Sequence, residues 1–173
     1  MSASASRYSF HSATPGDLDM LRGWQRQPHV SRWWDAFDPE TPEEFDDLRV
    51  ARWIVSLGGT PFAYMQDYTV HGWDDHHFAH LPPGARGIDQ FIGRPDMIGQ
   101  GHGPAFIAAQ VQTLFDQGAP AVATDPHPDN ARAIAAYGKA GFQPSGPPQE
   151  TRWGRVLPMT AWRPVGASGA SVT

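Results

Sequence analysis

A chain of 173 residues, 40% hydrophobic and 18% charged, is long enough to build one core without metal or disulfide staples, and its composition is that of a single globular domain. It has no cysteine, which excludes disulfides, thiolate metal sites and any route that parks an acyl group on a cysteine. The net charge is −5, and no basic stripe is available to neutralise phosphates, which argues against a nucleic-acid partner. The N-terminal MSASASRYSF has no apolar h-region and no apolar run reaches 18 residues, so the expectation is a cytoplasmic protein with no membrane partner.

Tyr8-Ser9-Phe10 alternates apolar and polar residues and predicts an opening strand. Thr14-Pro15-Gly16-Asp17 then places Thr14 at an N-cap, Pro15 at the first helical position and Asp17 in the first turn, with Leu18, Leu21 and Trp24 as the buried stripe. Pro28 opens a second short helix, in which Val30, Trp33 and Trp34 fall on one face. Paired tryptophans either pack in the core or, for Trp34 beside Asp35, offer a wall to a sugar-like cation. Between Asp35 and Asp47 seven acidic residues occur without a basic one. This segment reads as a solvated face or as a rim that attracts a cationic acceptor. Within it, Thr41-Pro42-Glu43-Glu44 is a capping box that predicts a third helix toward Val50.

Trp53 to Leu57 reads as a strand, Gly58-Gly59-Thr60 as a hairpin turn, and Phe62 to Val70 as a half-exposed partner strand. From His71 to Pro83 the pattern breaks into a polar, aromatic loop of the length that usually carries function. It holds His71, His76, His77 and His80, yet no helix signal and no second ligand cluster accompany them, so no metal is expected. Asp74, beside Trp73, is better suited to gripping an amine.

Arg86 to Ile92 reads as a strand with Asp89 in its middle, followed by a turn at Gly93-Arg94-Pro95 and by Gly99, Gly101 and Gly103 at alternate positions. A helix from Pro104 follows, with Ile107, Val111, Leu114 and Phe115 on one face and Gly118 at its end. Alternate glycines leading into a helix let backbone N–H groups converge where the helix dipole is positive, which suits a phosphate. Ala121-Val122-Ala123 is a buried strand that should run parallel to the Ile88 strand. Asp129 is placed as the cap of a last helix, Asn130 to Ala140, closed by Gly141. Phe142–Gly146 and Val156–Trp162 predict two further strands. The expectation is one domain over residues 1–165 and a flexible tail over 166–173.

The glycines do not meet the dinucleotide-binding pattern, and there is no P-loop ending. With the strand before them, Ile98-Gly99-Gln100-Gly101-His102-Gly103 and Asn130…Tyr137…Gly141-Phe142 after them resemble the GCN5-related N-acetyltransferases (GNAT). The usual turn of that family has a polar first residue where Ile98 stands. PHVSRWW at 28–34, Tyr64-Met65-Gln66-Asp67-Tyr68, Arg86-Gly87-Ile88-Asp89-Gln90 and Thr124-Asp125-Pro126 make the chain most similar to the aminoglycoside 6′-N-acetyltransferases.

The resemblance implies an α+β GNAT fold: a mixed, mostly antiparallel sheet of about 6–7 strands, about four helices, and a splayed parallel strand pair at the acetyl-CoA site. It implies acetyl-CoA as cosubstrate, with Ile88, Gln90, Ile98, Gly99, Gln100, Gly101, His102, Gly103 and Asn130 around it. It implies Asp89 as base toward the amine, Tyr137 as acid toward the leaving thiolate, and Trp34, Asp35, Tyr64, Asp74 and Asp125 as acceptor-binding residues. Where those enzymes can carry a further acid, this chain has Glu150-Thr151-Arg152-Trp153-Gly154. The expected activity is direct acetyl transfer to a primary amine of a cationic small molecule, by a monomer or homodimer. The alternatives are a GNAT acyltransferase for a siderophore hydroxylamine, with His102 or His127 near the cleft, and a CoA-binding module without catalysis.

Overall fold

The computed structural model describes residues 6–34 and 41–166. Asp35, most of the flexible tail expected at 166–173, and half of the acidic segment lie outside the described residues. The elements in chain order are β1 (Tyr8–Ser12), α1 (Leu18–Gln25), α2 (Pro28–Ser31), β2 (Val50–Leu57), β3 (Thr60–Thr69), β4 (Arg86–Ile92), α3 (His102–Asp116), β5 (Ala121–Thr124), α4 (Ala131–Lys139), β6 (Gln143–Pro144), β7 (Gln149–Thr151), β8 (Gly154–Val156) and β9 (Met159–Trp162). Seven of the described strands form one sheet in the order β1-β2-β3-β4-β5-β9-β6, and β7-β8 is a separate hairpin. All the pairings are antiparallel except β4–β5. The mixed, mostly antiparallel sheet of about 6–7 strands with one parallel pair, expected from the sequence, is the one observed.

Both faces of the sheet are covered. On one, Met65 and Ile88 pack with Phe106, Ile107, Val111 and Leu114 of α3, each such side chain contributing about 1.5–3 kcal/mol on leaving water. On the other, Ile54, Tyr64 and Phe91 pack with Leu21 of α1 and Val30 of α2. Trp34 meets Phe91 edge-on at 5.1 Å. The expectation of a half-exposed β3 is therefore corrected. β3 lies inside the sheet between β2 and β4, and Phe62, Ala63, Tyr64, Met65, Asp67 and Tyr68 are all buried.

Four boundaries also differ from the sequence reading. The capping box at Thr41 is present, but it starts only a 3₁₀ turn, Pro42–Asp46. That segment has no apolar stripe, Leu48 is wholly exposed, and β2 begins at Val50. α3 starts at His102 rather than Pro104, because Gly101 at φ 80° is its N-cap. Asn130, not Asp129, caps α4: its Oδ1 accepts from the Ala133 N–H at 3.2 Å. Finally, Val156–Trp162 is interrupted at Leu157-Pro158, so β8 closes on β7 while β9 enters the main sheet.

Candidate active site

The parallel pair positions the site. β4 is paired with β3 along its whole length, Ala63↔Ile92 to Thr69↔Arg86. Against β5 it is paired only at Arg86↔Val122 and Gly87↔Ala123. Past Gly87 the two strands part, and Thr124 Oγ1 bridges the start of the gap by donating to the Ile88 carbonyl at 3.0 Å. The edge of β4 from Asp89 onward thus presents backbone groups that no strand pairs. An amide-bearing, extended ligand can pair with such an edge as an added strand would.

At the far end of that edge is the glycine turn. Gly99 and Gly101 take φ of 72° and 80°, a left-handed backbone that other side chains rarely adopt, and a Cβ on either would meet nothing within 4 Å. The 15-residue α3 starts there on Gly101, an N-cap residue with no side chain to bond its first N–H groups. Uncapped N–H groups at the positive end of a long helix, on an open surface, suit the phosphates of a ligand. The neighbouring side chains turn away. Gln100 Nε2 donates to the Asp96 carbonyl. His102 is buried against Phe62 and Phe106's neighbour Tyr8, whose hydroxyl is 2.8 Å from His102 Nδ1. In this turn the backbone, rather than His102 or Gln100, is what a phosphate would meet.

Asp89 points to the opposite face of β4 from Ile88 and Gln90, as strand alternation requires. Gln66, its partner in the β3–β4 register, donates from Nε2 to Asp89 Oδ2 at 2.9 Å, and the Tyr64 hydroxyl donates to Gln66 Oε1 at 2.9 Å. The Asp125 carboxyl stands within hydrogen-bonding reach on the other side. Burial, and then the negative charge of Asp125, push the Asp89 carboxyl up to about 7, against the opposing Gln66 bond. Across the opened edge, Tyr137 of α4 is buried, with its hydroxyl hydrogen-bonded to Thr124 and Gln90. Burial and the Asp89 charge raise its phenol well above the ordinary tyrosine value, so it stays protonated. A base that titrates near neutrality and an acid that keeps its proton therefore flank one groove, the arrangement a proton-coupled group transfer needs.

A family model described as an acetyltransferase (GNAT) domain matches residues 14–149. This chain belongs to the GNAT acetyltransferase family. It is 34% identical over 145 residues to an aminoglycoside N(6′)-acetyltransferase type 1 of Klebsiella pneumoniae, covering 77% of this chain and 72% of that protein. A kanamycin resistance protein of Rhizobium radiobacter is 45% identical over 65 residues, 37% of this chain and 60% of that protein. The crystal structure of aminoglycoside acetyltransferase AAC(6′)-Ib with coenzyme A and kanamycin superposes with a TM-score of 0.80 at 32% identity, covering 90% of this chain and 95% of that one.

On the acceptor side of this GNAT domain, Trp34 is half-buried and packs edge-on to Tyr64 at 6.0 Å. Tyr64 itself is only 1% exposed, so it presents no face, and its hydroxyl bonds Gln66. The Asp74 carboxylate is exposed, and its backbone carbonyl accepts from Arg152 Nη2 at 2.6 Å. Ile88 is fully buried in the core, which leaves only its backbone near the groove. Asn130 is committed to its cap. His127 lies against Trp33 at 5.6 Å and accepts from the Asp129 N–H at 3.1 Å. Among the described residues, the bonds of His102 and His127 go to Tyr8 and to Asp129. Sequence reasoning missed two partners, Gln66 and Thr124. The pairing of β3 with β4 would have placed Gln66 opposite Asp89, but the register is not readable before the fold is known.

A cavity of about 650 Å³ lies on the α3 side of the sheet, lined by Trp53, Asp67, Arg86 and Gln110 among others. Its polar groups satisfy one another. Asp67 takes bonds from Arg86, from Trp53 Nε1 at 2.7 Å and from Gln110 Nε2 at 3.2 Å, which accounts for a buried carboxylate without a ligand. Among the described residues no group of three or more His, Asp or Glu side chains is placed to hold a metal ion. No helix among them is long and apolar enough to cross a membrane.

Proposed function

We propose that this GNAT enzyme transfers the acetyl group of acetyl-CoA directly to the 6′-amine of an aminoglycoside. The observation that carries the reading is the pair of protonation states across the opened β4–β5 edge, a carboxyl poised near neutrality at Asp89 and a phenol kept protonated at Tyr137. Similarity to the Klebsiella enzyme and to the kanamycin complex supports the choice of acceptor.

Acetyl-CoA supplies an activated thioester; the glycine turn suits its phosphates, and the unpaired edge of β4 suits its amide-bearing arm. A primary amine has a pKa near about 10 and arrives as an ammonium with no lone pair to attack. Asp89 attracts that ammonium and takes its proton, and a carboxylate raised by burial is a stronger base than an exposed one. Tyr137 gives the departing sulfur its proton and regains one from the second proton that the nitrogen sheds as the C–N bond forms and the C–S bond breaks. The first proton leaves through Asp89, so one proton leaves the site in each turnover. With no cysteine in the chain, transfer passes from donor to amine in a single ternary complex, where proximity does much of the work. Asp125, Asp74 and Asp35 take the remaining ammonium groups of the acceptor. That Asp89 and Tyr137 come from one chain supports a monomer, or a homodimer with one site in each chain, and the use of acetyl-CoA supports a cytoplasmic reaction.

The test is release of CoA thiol with aminoglycosides matched except for a 6′-amine or a 6′-hydroxyl. Turnover of the amine should exceed that of the hydroxyl by roughly 10²-fold or more. Equal acetylation of both sinks the regiochemistry, and turnover of a hydroxylamine alone replaces the acceptor class. No thioester turnover with any amine would leave a CoA-binding module. Tyr137→Phe should lower kcat by roughly 10²-fold with little change in KM, because the hydroxyl acts only as charge develops on sulfur. A rise in KM at constant kcat would make Tyr137 a packing residue.

A further inference from the structure

The loop between β3 and β4 brings one basic side chain onto the acid pair, and the mechanism above makes no use of it. His77 Nε2 is 2.8 Å from Asp125 Oδ2, with the side chains 9% and 15% exposed. His76 stacks on His77 at 4.4 Å and 18° between ring planes, and Trp153 of the β7–β8 turn lies 4.9 Å and 5.7 Å from the two rings. The charged and titratable groups around His77 can be named element by element. Asp125 follows β5, with Asp89 of β4 beyond it. Tyr68 of β3 lies against His76 and is kept protonated by burial. Arg152 of the β7–β8 turn donates to the Asp74 carbonyl and covers the Trp153 ring, so it is spent on the loop. His76 is lowered to about 4 by burial, and then by His77, Arg152 and His71, so it is neutral near pH 7.

We propose that His77 is a built-in counter-ion for Asp125 that competes with the acceptor's own ammonium groups, so that a polycationic acceptor binds against His77 and expels a proton from it. The proposal rests on the acceptor reading above and deepens it. An imidazolium beside Asp125 turns a carboxylate into a neutral pair and weakens its pull on a second cation. An ammonium that arrives at the same carboxylate in turn favours the neutral imidazole. His77's share of the balance is one proton: protonated His77 and a free polycation become neutral His77, the bound polycation and a proton in solvent, while any proton that Asp89 gives up is common to the unaltered enzyme and a His77 variant. The neutral Nε2–H tautomer keeps the bond to Asp125, and the proton lost is the one on Nδ1. Among the described residues nothing holds that proton, because Nδ1 is buried without a hydrogen-bond partner. The loop therefore discriminates between acceptors by charge and by pH, a property that hydrogen bonding alone would not confer.

The experiment is calorimetric titration of the CoA-bound enzyme with kanamycin, in two buffers of different ionisation heat. His77→Gln, which retains a donor toward Asp125, should bind kanamycin about threefold to tenfold more tightly at about pH 6, with the gap closing by about pH 8. Its proton release on binding should fall below that of the unaltered enzyme. A monoamine, 6-amino-6-deoxyglucose, should shift by less than about twofold, since it brings no second cation to Asp125. His77→Lys, a cation at every pH in this range, should bind kanamycin more weakly at about pH 8. Equal or weaker binding by His77→Gln at low pH, or unchanged proton release, overturns the proposal. Turnover by the unaltered enzyme reads the acceptor assignment separately. If no aminoglycoside is acetylated, the same comparison with spermine as the polycation decides the role of His77.

Discussion

Replacing Asp89 with Asn should cost activity and gain stability in the same protein. kcat/KM should fall by about 10²–10⁴-fold, the usual worth of a general base, because the amide can neither hold the acceptor's ammonium as a carboxylate does nor accept its proton. The amide is nearly isosteric, and its oxygen can still accept from Gln66 Nε2, now at 2.9 Å, so the loss is chemical rather than architectural. The gain follows from linkage. Asp89 is raised from 3.8 to about 7 in the folded state. Between those values the native state holds the extra proton, so the cost of the charged carboxylate to folding grows as pH rises and is complete above about 7. Thermal melts should show Asp89→Asn more stable by roughly 1–3 kcal/mol at about pH 8, with the advantage gone at about pH 4. The same titration gives the unaltered enzyme a kcat/KM that climbs with pH through about 7 as the base ionises. An Asp89→Asn variant with full turnover removes Asp89 from the mechanism. One that is inactive but no more stable at high pH would mean that the carboxylate is better solvated than its position between Gln66 and Asp125 implies.

What the sequence disclosed and what it withheld divide along a physical line. The strand Arg86–Ile92, both proline-containing capping motifs, the α3 stripe and the terminating Gly118 and Gly141 were legible because each is set by neighbours within a few residues. β3 misled because both of its faces are buried, and a strand buried on both faces loses the two-residue period. The cap of α4 was placed at Asp129 instead of Asn130, and the two residue types have nearly equal cap preference. The site shows the same split. Asp89 and Tyr137 could be marked from family pattern, but their electrostatics could not. Gln66 meets Asp89 across a register, Asp125 meets it across the strand splay, and His77 reaches Asp125 over 48 residues of chain. Burial, the Asp125 charge and the opposing Gln66 bond together set how far the Asp89 carboxyl is raised, and none of them is local in sequence. The acceptor side was the least legible part, since a loop without period carries its information in tertiary contacts alone.

Gly87→Ala should damage the site without touching a catalytic atom. A Cβ at Gly87 would stand 2.2 Å from Tyr68 Cζ and 2.5 Å from its hydroxyl oxygen, with the two residues directly paired across β3–β4. Tyr68 has little room to yield, since it is 7% exposed and packed against Trp73 at 5.6 Å and His76 at 5.7 Å. Either β4 shifts or the Tyr68 ring moves into the histidine loop. The first displaces Asp89, two residues along, and disturbs the point past which β4 and β5 part. The second disturbs the His76–His77 stack over Asp125. Overpacking of this kind costs about 1–3 kcal/mol, or a melting temperature lower by roughly 2–10 °C for a domain of this size. A misplacement near 1 Å at the base should lower kcat/KM by about 10²-fold. The pair can be isolated with a double-mutant cycle: Tyr68→Val removes the ring that the methyl strikes, so stability and part of the activity should return in the Gly87→Ala, Tyr68→Val protein. Strict additivity of the two changes would show that Gly87 is not there to admit Tyr68. The groove would then owe its shape to the strand splay alone.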